Sequence, residues 1–307
     1  MPTNSTTVSL VLGSGGARGL AHIGVIRWLL ENGYEIRSIA GSSMGALVGG
    51  IHAYQKLEVY AQWVSALERA HVLRLVDPTL GRDGLIKGDR IIGVLREMIG
   101  DCHIEDLPLA YTAVATDLET GEEVWLREGR LFDAIRASMA TPLVFTPFRH
   151  GERHLLDGAL VNPLPVAATV DDRTDLTIAV NLNGPPEPRT RQRPEPAPAE
   201  DSGGRRRIGP LIGKLRRGQP GGESGEKSRR GLLDVAFLSM QTMHDTITKL
   251  KLTAHAPDVT IAIPRDACGF HEFWRAQEMI DLGRERAERV LGARAEERPP
   301  LSPPAAC

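Results

Sequence analysis

Residues 8–54 read VSLVLGSGGARGLAHIGVIRWLLENGYEIRSIAGSSMGALVGGIHAY, and the fold class follows from this stretch. The apolar run 8–12 stops at the glycine cluster 13–19. From about residue 17 to residue 32, apolar side chains recur at helical spacing, with Leu20, Ile23, Ile26, Leu29 and Leu30 on one face. Asn32-Gly33 ends that pattern, and a second apolar run follows at 36–40. It meets another glycine turn, GSSMG at 41–45, and a further helical pattern through Tyr54. Strand, glycine turn and helix, twice in succession, predict a parallel α/β sheet. The expected architecture is a three-layer α/β/α domain with a mostly parallel central sheet.

Outward from this core, helical spacing covers 58–72, 89–99, 130–139, 232–252 and 273–291. Short apolar runs of strand type lie at 109–116 and 123–126, around the turn ETGE, and again at 176–180 and 259–263. The sequence has no internal repeat at a solenoid period. Residues 184–230 differ in composition: eight Pro and nine Gly in 47 residues, with 12 basic and 6 acidic side chains. That Pro and Gly fraction marks low-complexity sequence, so a disordered insertion is expected between the domain segments 7–183 and 231–291. The tail 292–307 is also expected to be disordered. Inside the insertion, RRRIGPLIGKLRR at 205–217 sets Ile208, Leu211, Ile212 and Leu215 at helical spacing between basic clusters. As a short helix it would contact an anionic membrane surface reversibly, although Gly209, Pro210 and Gly213 oppose that conformation.

Composition narrows the function. The 307 residues carry 37 Lys and Arg against 39 Asp and Glu, a net charge of −2, without the basic excess of a dedicated nucleic-acid binder. Cys102, Cys268 and Cys307 are far apart and form no CxxC pair. They suggest neither a disulfide framework nor a zinc site, and they suit a reducing compartment, so a cytoplasmic location is expected. The first residues lack the basic region of a secretory leader, and no apolar run approaches the ~18 residues of a membrane span.

Two motifs carry chemistry. Gly41-Ser42-Ser43-Met44-Gly45 fits G-x-S-x-G, in which small flanking residues let a serine sit on a sharp strand-to-helix turn. The pattern puts a nucleophile at Ser43, with Ser42 at the variable position. The same residues also suit an ordinary βα turn with serine as helix cap. In GSGGARG, consecutive glycines can aim backbone N–H groups into one cavity, as an oxyanion requires, with Gly15 and Gly16 as donors and Arg18 either adding positive charge or bonding loop carbonyls through its fork. A dinucleotide turn is disfavoured. Arg18 replaces the third glycine, no acidic residue ends the second apolar run, and no GxxxxGK[ST] is present. A serine nucleophile needs a base. Asp157 with His244, His255 or His271 could complete a triad. Asp157 alone, in HLLDGALVNPLP, is the other candidate, although Asp-Gly there also reads as a hairpin turn. Composition and spacing leave these options open.

The ordered blocks GSGGARG with HIGV, GSSMG, ASMATP at 137–142 and DGA at 157–159, together with GLIKG, ATDLETGE and NPLP, resemble the bacterial patatin-like phospholipases. The group is the one similar to the catalytic domain of neuropathy target esterase. The resemblance spans about residues 7–183 and, more loosely, 231–291. It implies a Ser–Asp dyad without histidine: Ser43 as nucleophile, Asp157 as base, and Gly15, Gly16 and Arg18 at the oxyanion hole, with Met44 as a further amide. It implies no cofactor and no metal. Leu155, Leu156, Ala159 and Leu160 would raise the Asp157 pKa by desolvation. The expected activity is hydrolysis of carboxylic esters of phospholipids, lysophospholipids or related lipids through an acyl-enzyme. A small-ester hydrolase or transacylase, and a non-catalytic lipid-sensing scaffold, are the alternatives.

Overall fold

The computed structural model describes residues 5–75, 77, 86–187 and 232–296. Residues 1–187 and 239–307 form one compact unit. The second, 188–238, is described only over 232–238. In chain order the elements are β1 (Thr6–Leu12), α1 (Ala21–Glu31), β2 (Tyr34–Ser42), α2 (Met44–Ala53), α3 (Leu57–Ser65), α4 (Arg69–Arg74) and α5 (Asp89–Ile99). There follow β3 (Ala110–Asp117), β4 (Glu123–Leu126), α6 (Leu131–Ser138), β5 (Phe148–His150), β6 (Arg153–Asp157), β7 (Leu176–Gly184), α7 (Leu232–Ala254), β8 (Val259–Pro264) and α8 (Ala276–Glu296).

The strands form one sheet with the order β5-β6-β3-β2-β1-β7-β8, and β4 also pairs with β3. Strands β3, β2, β1, β7 and β8 are mutually parallel, while β4, β5 and β6 are antiparallel to their neighbours. The expected α/β/α architecture is therefore present, with an antiparallel margin. Alternation along β1 divides the core. Val8, Leu10 and Leu12 join the main apolar cluster with α1, α2, α6 and α8, whereas Val11 faces a smaller one formed with Leu164, Val166, Ala179 and Leu252 of α7. Each fully buried leucine or isoleucine there contributes about 1.5–3 kcal/mol before the entropy of ordering is subtracted.

The pairing along β3 positions the site. Ser42 at the end of β2 is in register with Val114, and Asp157 at the end of β6 is in register with Ala115. Strand β4 shares Ala113 and Val114 with β2, and Ala115 and Thr116 with β6. Strands β2 and β6 therefore occupy the same side of β3, one after the other, and their C-terminal ends meet.

Several expected elements differ. The single helix over 58–72 divides into α3 and α4, separated at residues 66–68. Leu30 is 45% exposed, because α1 packs against the sheet and α8 with its other apolar side chains and leaves this position outside. Residues 292–296, expected in the tail, continue α8, which Ala287 and Leu291 anchor in the core. Gly184, expected in the insertion, ends β7 and pairs with Pro264. The remainder of the insertion up to residue 231, with its 205–217 segment, lies outside the described residues apart from 185–187. Among the described residues, no helix is long and apolar enough to cross a membrane.

One turn is strained. Leu143 has φ 68° and is 56% exposed, in a turn where the N–H groups of Val144 and Phe145 both donate to the Thr141 carbonyl. A left-handed conformation costs a leucine about 1–2 kcal/mol, and glycine avoids that at an entropic cost of about 0.5–1 kcal/mol. Leu143→Gly is therefore expected to raise stability by about 0.5–1 kcal/mol, read as an upward shift in thermal midpoint. A fall in the midpoint would show that the exposed side chain contributes more than the strain costs.

Candidate active site

Ser43 lies between β2 and α2 at φ 55° and ψ −119°, a conformation rare for any residue with a side chain. The turn closes because the residues on either side are small. A Cβ on Gly45 would lie 2.0 Å from the Leu12 carbonyl oxygen and 2.9 Å from that of Gly13, so only glycine lets α2 start against the end of β1. The same contact brings the 13–16 loop beside the elbow. The N–H of Ser43 donates to Ser138 Oγ at 2.9 Å, and Ser138 Oγ donates to the Val114 carbonyl at 2.6 Å. Ser138, the last residue of α6, therefore ties the strained elbow to β3.

Ser43 Oγ donates to Asp157 Oδ2 at 2.8 Å. Both residues are nearly closed to solvent, 4% and 3% exposed. Asp157 Oδ2 also accepts from Thr141 Oγ1 at 2.6 Å, and Oδ1 accepts from the Ala159 N–H at 2.9 Å. The backbone is fixed too: the Asp157 N–H donates to the Ala140 carbonyl, and Thr116 Oγ1 donates to the Asp157 carbonyl. Burial pushes the Asp157 carboxyl above the ordinary carboxylate range, and the three donors oppose that rise only in part. The group is thus more basic than a free aspartate, yet it keeps hydrogen bonds that favour its ionised form.

Gly15 and Gly16, expected beside Ser43, lie in the loop at the end of β1, which is in register with the end of β2. Ser14 N–H is taken by the Pro163 carbonyl and Ala17 N–H by Phe270, whereas no acceptor among the described residues bonds the N–H of Gly15 or Gly16. Of the two roles expected of Arg18, the hydrogen bonds of its guanidinium match the structural one. The guanidinium donates to the carbonyls of Leu182, Arg265 and Cys268, since a buried cation needs acceptors and these three supply them. Its part is to brace the loop from behind. His22, buried in α1, bonds the Gly13 carbonyl through Nε2 at 2.8 Å, and burial lowers its pKa to about 4, so the ring is neutral and donates that hydrogen.

The structure does not bring the candidate histidines to the serine. Among the described residues no histidine ring bonds Ser43 or Asp157. His244 lies on α7, with its pKa lowered by burial to about 4, His255 follows the end of α7, and the His271 ring packs edge-on against Trp274. No group of three or more His, Cys, Asp or Glu among the described residues could hold a metal ion. Sequence reasoning misses the roles of Ser138 and Thr141. Both stand in the ASMATP block, but only the folded chain gives them partners.

The chain matches the family model described as patatin-like phospholipase over residues 10–170. An uncharacterised NTE family protein of Mycobacterium tuberculosis is 36% identical over 334 residues, covering 95% of this chain and 93% of the relative. The lysophospholipase NTE1 of Kluyveromyces lactis is 32% identical over 200 residues, which are 58% of this chain and 14% of that protein. Among solved structures, that of VipD from Legionella pneumophila aligns with a TM-score of 0.46 at 11% identity, over 94% of this chain and 67% of that one.

Proposed function

Because this chain belongs to the patatin-like phospholipase family, we propose that it is a serine lipid acyl hydrolase acting on carboxylic esters of phospholipids or lysophospholipids. The observation that carries this reading is the 2.8 Å hydrogen bond from Ser43 Oγ to a buried, raised-pKa Asp157. Asp157 Oδ2 takes the Ser43 proton as Oγ bonds the ester carbonyl carbon. The oxyanion is held by the N–H groups of Gly15, Gly16 and Met44, at the N-terminus of α2. Each such donor typically lowers the barrier by about 2.7–4 kcal/mol. Asp157 then gives the proton to the departing alcohol, leaving an acyl-Ser43. Water attacks that ester, Asp157 takes its proton, and the acid leaves as the proton returns to Ser43.

The elbow geometry favours Ser43 over Ser42. Ser42 Oγ is buried and has no hydrogen-bond partner among the described residues, so Ser42→Ala removes a hydroxyl that contributes nothing to pairing there. A fluorophosphonate probe is expected to label Ser43 in the wild type, and Ser42→Ala is expected to label as fast and unfold no earlier. Probe attachment at Ser42 would displace the assignment. A lipid panel with product mass spectrometry identifies the substrate. The scaffold reading predicts neither labelling nor product.

The basic 205–217 segment is proposed to bring the enzyme to anionic lipid. Deletion of 188–230 spares β7 and α7. It is expected to reduce co-sedimentation with anionic vesicles at low salt, and less so at high salt. Equal binding by the two proteins at low salt discards the idea.

A further inference from the structure

Asp157 must be both base and acid if the proposed hydrolysis is right, and the role inferred for Thr141 rests on that reading. The same oxygen, Oδ2, accepts from Ser43 at 2.8 Å and from Thr141 at 2.6 Å. Thr141 is 4% exposed, so its hydroxyl hydrogen cannot turn to bulk water. A second acceptor is within reach of the same Oγ1 position: the Met139 carbonyl, at 3.4 Å. That carbonyl already receives the Thr141 N–H and has one lone pair to spare. One hydroxyl thus has two acceptors, and it can change between them by rotating its hydrogen, with no heavy atom moving.

We propose that Thr141 is a positioning residue whose hydroxyl switches between Asp157 Oδ2 and the Met139 carbonyl as the proton moves on and off Asp157. With the carboxylate ionised, Thr141 donates to Oδ2 and holds it towards Ser43. When Ser43 passes its proton to Oδ2 and forms the bond to the acyl carbon, the charge on Oδ2 disappears. The Thr141 hydrogen then turns to the Met139 carbonyl. As Oδ2 releases the proton to the leaving alcohol oxygen, the hydrogen turns back and stabilises the carboxylate that re-forms. Water attack repeats the cycle, with the proton going from water to Oδ2 and then to Ser43 Oγ. The buried hydroxyl is paired in both protonation states, so neither state carries an unmatched donor.

The charged groups on the elements that build the site are committed elsewhere. On β6, Arg153 lies beside Asp117 of β3, and His154 bonds Glu119. On α6, Arg136 donates to the Lys87 and Thr146 carbonyls, and Asp133 pairs with Arg96. Arg18 donates to three carbonyls, and desolvation lowers the pKa of His52 on α2 to about 4, so that ring is neutral at physiological pH. The direct partners of the carboxylate are Ser43, Thr141 and the Ala159 N–H, so the loss of one of them falls directly on its titration.

The test is the pH dependence of kcat/KM for a soluble ester, with thermal midpoints as a check of the fold. Thr141→Val keeps the shape and removes the donor. Its acid limb is expected about one pH unit higher than in the wild type, with a plateau about tenfold lower. Thr141→Ser is expected to restore both. Thr141→Ala gives the same comparison should the valine variant not fold. An unmoved acid limb in a folded Val or Ala variant, or a loss that serine does not rescue, overturns the proposal. The wild type separates the two levels: active, probe-labelled wild type beside an unshifted variant refutes the switch alone, whereas inert wild type refutes the hydrolase reading.

Discussion

Asp157→Asn is expected to lower ester turnover on the order of 10⁴-fold and, at neutral pH, to make the protein more stable. An amide cannot accept the Ser43 proton, so the dyad loses its base. It keeps an acceptor oxygen for its neighbours and needs no buried charge. The pH dependence of the stability gain has a definite sign. Burial raises the Asp157 pKa in the folded chain above its value of about 3.9 in the unfolded chain. Below about 3.9 both states hold the proton, and the aspartic acid costs the fold nothing. As pH rises through the folded-state pKa, the unfolded chain has already released its proton, and the fold loses stability at about 1.36 kcal/mol per unit of separation. Asparagine does not titrate. The difference in thermal midpoint between variant and wild type should therefore widen as pH rises from the acid range and then level off. A gap that narrows with rising pH, or a variant keeping more than a small fraction of turnover, would contradict the assignment.

Gly158→Ala is expected to have a large structural effect, comparable to that of a methyl group added at Gly45. A Cβ at this position would lie 2.1 Å from the Val114 carbonyl oxygen and 2.9 Å from Ser42 Oγ. The carbonyl cannot yield, since it belongs to β3 and accepts from Ser138, which in turn holds the Ser43 N–H. The chain after Asp157 must move instead. A cost of about 3 kcal/mol is expected in chemical denaturation, with most probe labelling lost. Gly93→Ala, on α5 with no described atom within 4 Å of the added carbon, is the control and is expected to gain about 0.5–1 kcal/mol. Similar behaviour of the two variants would mean that the contact at Gly158 relaxes cheaply.

The residues that declare themselves in the sequence are those with a local reason for their identity. GSSMG is legible because the elbow needs small residues at fixed spacing around Ser43. The two strand–turn–helix units are legible because apolar period and glycine punctuation agree. Asp157 is ambiguous in sequence, since Asp-Gly suits a hairpin turn, and only the family resemblance selects it. In the fold the hairpin turn lies earlier, between β5 and β6, and Asp157 ends β6. Those two strands escape a sequence reading because RHGERHLLD has no clear alternation and its partner is β3, far away in sequence. Ser138 at the end of a helix and Thr141 just after it look like ordinary polar residues until β2 and β6 arrive beside them. Arg18 gives an ambiguous signal: its charge suits an anion or loop carbonyls equally, and in the fold it bonds carbonyls from β7 and the loop after β8.

The end-to-end meeting of β2 and β6 along β3 makes Ser43 a reporter of folding. The two reacting side chains are 114 positions apart in the chain and come together only when the β5–β6 hairpin docks in the correct register. A slip of one residue would turn the Asp157 side chain to the opposite face of the sheet, leaving a folded-looking but inert molecule. Helices close early and locally, and such distant pairings close late. During refolding, helical circular dichroism should therefore recover before Ser43 regains fluorophosphonate reactivity, and the delay between the two signals would time the closure of the sheet.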